Sequence, residues 1–359
     1  MHEINCKSAK ARLIAFYLPQ FHPIPENDEW WGKGFTEWRK VASAKPLYKN
    51  HIQPKIPGEL GFYDLRVHET RIAQANLAKE YGIEGFCYWH YWFSGKQLLE
   101  RPFNEVLNSN SLDFPFCLGW ANVEWTGVWG GQPNKVLVKQ DCSDRNDFIH
   151  HFNYLMKAFN DRRYIKVNGK PLLYIHYPYY IPESRRMLDL WRDLAVKNGF
   201  PGLYLVGNNI EADELTNLGY DAHSTHYPNW VMLSNRYSRS FIRKCYRKLF
   251  RRPAVFDYSK SVTEDFQKNY NNSENYHPLV VTNWDNTPRI GRKGVVLENS
   301  TPDNFRNHVK KVVETVKNKP EELKIIFLKS WNEWAEGNYI EPDLKYGRVY
   351  LEVLKEEVC

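Results

Sequence analysis

Two glutamates, Glu333 and Glu336, stand three residues apart in a segment that also carries Trp331, Asn332 and Trp334 and follows the apolar run Ile325–Leu328. Paired carboxyl groups are the machinery of glycosyl chemistry. One gives and recovers the proton of the glycosidic oxygen, while the other drives departure from the anomeric carbon. Flat tryptophan rings suit the apolar faces of pyranoses. If residues 332–337 begin helically, the two β-carbons fall about 5–6 Å apart on one face. Such a spacing accompanies retention of anomeric configuration, whereas wider ones admit an inverting water. Each carboxylate also raises the proton affinity of the other, which keeps one available as an acid. The competing reading is a surface turn with solvated acids.

A catalytic pair needs a frame. Strand-like runs near residues 12–18, 83–90, 115–120, 171–177, 203–207, 220–224, 278–283 and 324–330 alternate with helix-like stretches near 66–81, 101–108, 145–159, 183–198, 211–217, 239–250, 301–318 and 345–356. Thr301-Pro302-Asp303 has the form of a helix start, since threonine caps free amides and proline fits the first turn. Eight strand and helix units predict an α/β fold, a (β/α)8 TIM barrel with elaborated loops at its C-terminal face. No linker or repeat interrupts it, so residues 1–359 read as a single domain with a core of about 11–355. A doubly wound sheet has the same alternation, but the polar residues favour the barrel. Nearly every strand ends in a cluster of them, and a barrel gathers all its strand ends at one mouth, whereas an open sheet gathers only those at its switch point.

These strand-end residues are the expected substrate contacts: Gln20, His22, Tyr88, Trp89, His90, Trp120, Asn122, His176, Asn283, Trp284 and Asp285, together with Trp331, Asn332 and Trp334. Strand alternation implies that neighbours such as Tyr88, Trp89 and His90 cannot all face inward. Trp30, Trp31, Glu37 and Trp38 form either a subsite wall or a packed flap. His223 and His226 have no acid or cysteine at metal-ligand spacing, so no metal or other cofactor is expected.

Aromatic residues make up 15% of the chain, more than packing alone leads one to expect. The six cysteines are scattered without a CxxC pair and read as free thiols. The formal charge of +7 is concentrated in residues 236–252, which hold eight cations and no acid with apolar residues at helical spacing. That run reads as a peripheral membrane contact or as an ordinary barrel helix with its cations in water; without a nucleic-acid-binding motif, nucleic acid is not an expected partner. The opening residues contain no export-type apolar segment, so the expected location is cytoplasmic, with the inner face of the membrane within reach.

Six motifs carry a resemblance: YLPQFHPIPENDEWWGKGFTEW at 17–38, FCYWHYWFSGK at 86–96, FCLGWAN at 116–122, NGKPLL at 168–173, WDNTPR at 284–289 and WNEWAEGNYIEPD at 331–343. They resemble the WbsX glycosyltransferase family, which is related to glycoside hydrolase family 99 and its endo-α-mannosidases. The resemblance implies a (β/α)8 barrel and a role in bacterial surface polysaccharide (O-antigen or capsule) biosynthesis; the basic run separately leaves a lipid-linked acceptor as one option. It also implies a retaining route through a 1,2-anhydro sugar, in which Glu333 deprotonates the 2-hydroxyl and Glu336 protonates the departing oxygen, and hence a manno-configured substrate. No metal enters this scheme. The sequence departs from the family after Asn122, where a stretch close to ENWTRRWDG is replaced by Val123–Gly131, so Glu124 inherits no role. Transfer to a glycan acceptor is the first expectation and an endo-α-mannosidase-like hydrolase the alternative. A non-catalytic sugar-binding module stands behind both.

Overall fold

The computed structural model describes residues 9–109, 111–127, 132–225, 227, 252–269 and 273–359. Parallel pairing follows the order Tyr276–His277, Ala222–Ser224, Tyr204–Asn208, Lys170–Ile175, Phe116–Trp120, Gly85–Phe93, Arg12–Tyr17, Ile325–Lys329 and Leu279–Val281. The first and last members of this order are separated in the chain only by Pro278. They form one stave that pairs through its first part with Ala222–Ser224 and through its second with Ile325–Lys329. Proline has no N–H to give to a ladder, and at the break its carbonyl accepts from the Phe327 N–H at 2.9 Å. Nine strands therefore make eight staves, and the sheet closes into the (β/α)8 barrel that the alternation predicts.

The strands are apolar on both faces because one side meets the helices and the other fills the barrel. Ile325–Lys329 and Phe116–Trp120 are buried at every position. Phe16, Trp89, Tyr174 and Phe327 come from four strands and fill the interior with rings: Phe16 stacks on Trp89 with centroids 4.7 Å apart and on Phe327 at 5.4 Å, and Tyr174 meets Phe16 edge-on at 4.9 Å. Much of the aromatic excess is thus core, and the topmost ring of this plug, Trp89, becomes the floor of the cavity described below.

The helices Arg145–Phe159, Ser184–Lys197 and Pro302–Val316 lie where the sequence places them, and the Thr301 side chain caps the last by accepting from the Asn304 N–H at 3.3 Å. The stretch near 211–217 shortens to Leu215–Leu218. Three features escaped sequence reading: short helices Pro25–Trp31 and Glu37–Ala42, a hairpin of Trp125–Gly127 with Gln132–Val138, and a parallel pair, Ala254–Asp257 with Val295–Glu298, outside the barrel. Cys87, Cys117 and Cys142 are free and buried, whereas Cys359 is disulfide-bonded, a departure from the expected free thiols. Among the described residues no helix is long and apolar enough to cross a membrane. His226 and the basic run 236–252, except Arg252, lie outside the described residues.

Close strand packing gives the first prediction. A Cβ on Gly85 would lie 2.5 Å from the Pro115 carbonyl oxygen and 2.9 Å from Ile165 Cδ1. The backbone atom cannot step aside, so Gly85→Ala should cost about 1–3 kcal/mol. Val196→Ala, on an exposed helix position, should stay within about 0.5 kcal/mol of wild type. Urea denaturation of both variants checks the contrast.

Candidate active site

The segment after the last strand is not helical at its start. Asn332–Glu333 pairs antiparallel with Asn338–Tyr339 around a 3-10 turn, Trp334–Glu336. Three anchors fix this hairpin. The Asn332 side chain closes a two-way clamp on Leu18 at the end of the first strand, its Oδ1 accepting from the backbone N–H at 2.7 Å and its Nδ2 donating to the carbonyl at 3.0 Å. The Ser330 hydroxyl donates to the Asn338 carbonyl at 2.6 Å and accepts from the Glu333 N–H at 2.9 Å. The Asp285 N–H donates to the Glu336 carbonyl at 2.6 Å. Gly337 then turns the chain at φ +60°, where any Cβ would strike Lys55 Nζ and Asp285.

These anchors bring Glu333 and Glu336 together at the mouth. Their carboxyl groups share a hydrogen bond. Burial pushes Glu336 upward, to about 8, and the neighbouring Glu333 charge adds to this while Arg289 opposes it. Burial acts on Glu333 in the same sense. There it is outweighed by the Lys329 ammonium, the hydrogen bond with Glu336, Arg289 and the Trp89 indole, which hold Glu333 below the usual carboxylate range. Trp89 Nε1 donates to Glu333 Oε1 at 3.0 Å. The two shifts run in opposite directions, so the groups titrate as a pair in which Glu336 is the more readily protonated member.

Arg289 organises the other side. It sits in the short helix Thr287–Ile290 and donates through Nη1 to Glu336 Oε1 at 2.5 Å and through Nη2 to Glu37 Oε1 at 2.6 Å. Glu37 is fully buried and also accepts from the Ala335 N–H at 3.2 Å. Burial raises its proton affinity despite Arg289. The first-loop acid thus belongs to the packed flap and meets the Trp334–Glu336 turn both through this arginine and directly at the Ala335 N–H.

A cavity of about 330 Å³ opens over the pair, with Gln20, Trp89, His176 and Trp284 among its walls together with Trp31, Tyr91, Glu124, Trp125, Tyr177, Arg289 and Lys329. The remaining expected contacts do not line it, Tyr88 and His90 because strand alternation turns them away. Tyr88 turns outward onto Tyr17 and Phe103, and His90 Nε2 meets His151 Nε2 at 2.8 Å behind the sheet. Trp120 packs against His151 and Trp191. His22 bonds the Pro19 carbonyl at 3.0 Å, and Asn122 clamps Tyr177 through its amide and carbonyl, each at 2.8 Å. Trp331 packs on Phe86, and Trp334 stacks on Tyr339 at 3.7 Å while its Nε1 donates to buried Glu341 at 2.6 Å.

Asn283 and Asp285 face a second cavity, of about 940 Å³, on the far side of the Gly337 turn, which neither Glu333 nor Glu336 lines. There Asp285 is saturated: it accepts from His51 Nε2 at 2.9 Å, Gln53 Nε2 at 2.6 Å and the Thr287 hydroxyl at 2.6 Å. Arg289 and Lys329 escaped the sequence reading although each was within reach, Arg289 closing the WDNTPR motif and Lys329 ending the strand before the pair.

The family model described as "Glycosyltransferase WbsX" matches residues 13–354. The "uncharacterized protein WxcX" of Xanthomonas campestris pv. campestris, in two strains, is 37% identical over 350 residues; the match covers 96% of this chain but 49% of the relative, so the chain spans about half the length of these proteins. Among solved structures, an endo-alpha-mannosidase of glycoside hydrolase family 99 from Bacteroides thetaiotaomicron superposes with a TM-score of 0.59 at 15% identity, over 97% of this chain and 96% of that one. A "glycoside hydrolase-like protein" superposes with a TM-score of 0.56 at 18% identity, over 100% of this chain and 96% of its own. At such identities these two show a shared barrel fold.

The Glu37–Arg289–Glu336 bridge yields a stability test. Removing one member of a buried ion pair strands its partner, so Arg289→Met should cost about 3–5 kcal/mol by leaving Glu37 uncompensated. Glu37→Gln combined with Arg289→Met should recover most of that loss. A double-mutant cycle measured by chemical denaturation gives the coupling directly.

Proposed function

Since the chain belongs to the WbsX glycosyltransferase family, we propose that it is a carbohydrate-active enzyme, a glycosyltransferase or transglycosylase of surface-glycan assembly with Glu333 and Glu336 as its catalytic pair. The observation that carries this reading is the placing of Glu333 and Glu336 side by side in the wall of one cavity at the barrel mouth, where burial pushes Glu336 upward while Lys329, Glu336, Arg289 and Trp89 hold Glu333 down. A retaining reaction through the substrate's own 2-hydroxyl needs that division of labour.

In the first step Glu333, ionised, takes the proton of the sugar 2-hydroxyl. The oxygen then bonds to the anomeric carbon from the face opposite the leaving group, the bond from that carbon to the leaving oxygen breaks, and Glu336 delivers its proton there. A 1,2-anhydro sugar results. In the second step Glu336, now a carboxylate, removes a proton from the incoming hydroxyl, which attacks the anomeric carbon. The bond to the 2-oxygen breaks, and that oxygen recovers its proton from Glu333. The sequence closes with both groups in their starting states. An axial 2-hydroxyl opposite an α-linked leaving group has the required trajectory, which favours a manno configuration, in keeping with the name of the structural neighbour from Bacteroides thetaiotaomicron. Gln20, Trp89, His176 and Trp284 are the expected contacts that line the cavity, and they are proposed to bind the sugar. For the other expected contacts, a positioning role behind the cavity wall is proposed.

Whether the acceptor is a glycan hydroxyl or water is decided by product analysis. Purified protein incubated with α-mannosyl oligosaccharides, and separately with membrane extracts plus nucleotide sugars, should give transfer products by mass spectrometry; free reducing sugar alone would mean hydrolysis. Glu333→Gln and Glu336→Gln should each lower kcat by about 10²–10⁴-fold, and full activity in both would sink the mechanism. The rate should fall toward acid as Glu333 gains a proton. Toward alkali it should fall near pH 8 as Glu336 loses the proton it must donate.

A further inference from the structure

Lys329 is the last residue of the strand that leads into the catalytic hairpin, and it is only 4% exposed. Its ammonium lies over the face of Trp284, 5.4 Å from the ring centre, and its side chain lines the same cavity as Glu333 and Glu336. Among the described residues no hydrogen-bond acceptor or carboxylate oxygen pairs with it, although its charge is felt by Glu333, Glu336 and His176. Buried ammonium groups are costly unless paired. A second donor in this wall is in the same condition: Gln20 Nε2 is buried with no hydrogen-bond partner.

Two donors, one of them cationic, thus belong to the wall of a cavity in which Glu333 Oε1 already accepts from Trp89 and Glu336 Oε1 from Arg289. A neutral pyranose would satisfy Gln20 but leave the ammonium with hydroxyl groups alone. We infer that Lys329 and Gln20 form an anion-recognising subsite beside the catalytic pair, so that the sugar carries an acidic group, either a uronic-acid carboxylate or a phosphate. This rests on the glycosyl reading above and adds the substrate's charge to it. Charge-assisted hydrogen bonds to such oxygens are short and strong, and a site built to supply them discriminates against a substrate lacking the acceptor.

Saturation-transfer NMR on the whole chain tests this without requiring turnover. The probes are methyl α-mannoside, methyl α-mannuronide and α-mannose 1-phosphate, with the gluco counterpart of each. The expected result is binding of one anionic class about tenfold or more tighter than the neutral glycoside, as the loss of one hydrogen bond to a charged group implies. The uronide and phosphate arms identify which anion it is. Lys329→Met should abolish that preference, Lys329→Arg should keep it, and raised salt should weaken it in wild type. Thermal melts establish that both variants are folded; if Lys329→Met is not, the wild-type preference and the arginine variant decide. Equal binding of neutral and anionic sugars by wild type overturns the subsite and leaves the glycosyl reading standing. No saturation of any sugar overturns both.

Discussion

Three carboxyl groups and two cations are buried together at the barrel mouth, and the low polarity there fixes what each can be. Arg289 commits one nitrogen to Glu37 and another to Glu336. Lys329 acts on Glu333 through space and without a hydrogen bond. With two cations present, full ionisation of Glu37, Glu333 and Glu336 would leave an uncompensated buried charge, which proteins avoid by shifting a proton. Glu336 is the group pushed toward the protonated form, because burial and the Glu333 charge together outweigh Arg289. The asymmetry of the pair thus follows from charge balance in a confined space.

That balance holds only if the oxygens stay within hydrogen-bond reach, and this requirement explains the surroundings of the hairpin. Asn332 ties it to the first strand, Ser330 ties its two arms together, and Asp285 holds the Glu336 carbonyl through its own N–H. Asp285 is held in turn by His51, whose Nδ1 accepts from the Leu47 N–H at 3.1 Å and whose Nε2 therefore carries the proton donated to the carboxylate. Behind the hairpin, Glu341 accepts from Tyr63 at 2.9 Å, Gln74 at 2.6 Å and the Trp334 indole at 2.6 Å. The Glu341 carboxyl group there ties three side chains to the back of the hairpin.

This layering marks the limit of what the sequence could tell. The barrel was legible because parallel strands buried on both faces leave unmistakable apolar runs, and the candidate site segment stood out because it sets two acids among tryptophans. Residue types did not separate the cavity wall from its support. Asn122 and Asn332 look like sugar ligands, yet each amide is spent on backbone. Tyr88 and His90 flank Trp89 in one motif, and only the pleat decides that the tryptophan faces in. Arg289 was hidden because its partners, Glu37 and Glu336, are far from it in the chain, and Lys329 because a strand-end lysine ordinarily reaches solvent.

The same arrangement bears on the choice between transfer and hydrolysis. In the proposed reaction Glu336, once it has given up its proton, would be a carboxylate held by Arg289, and the cation that would ease the first step would make it a weaker base in the second. Burial works the other way, restoring basicity as long as the site stays dry. A water and a sugar hydroxyl present the same proton to Glu336, so the carboxyl pair cannot tell them apart. Discrimination falls to the walls beyond it, where Trp31, Tyr91, Trp125 and Tyr177 line the cavity. Aromatic faces bind the apolar side of a second pyranose and give nothing to a water. Under the proposed transfer, an acceptor stacked there would both supply the hydroxyl and exclude solvent from the Glu336 carboxylate, so that acceptor binding and the basicity of Glu336 would rise together.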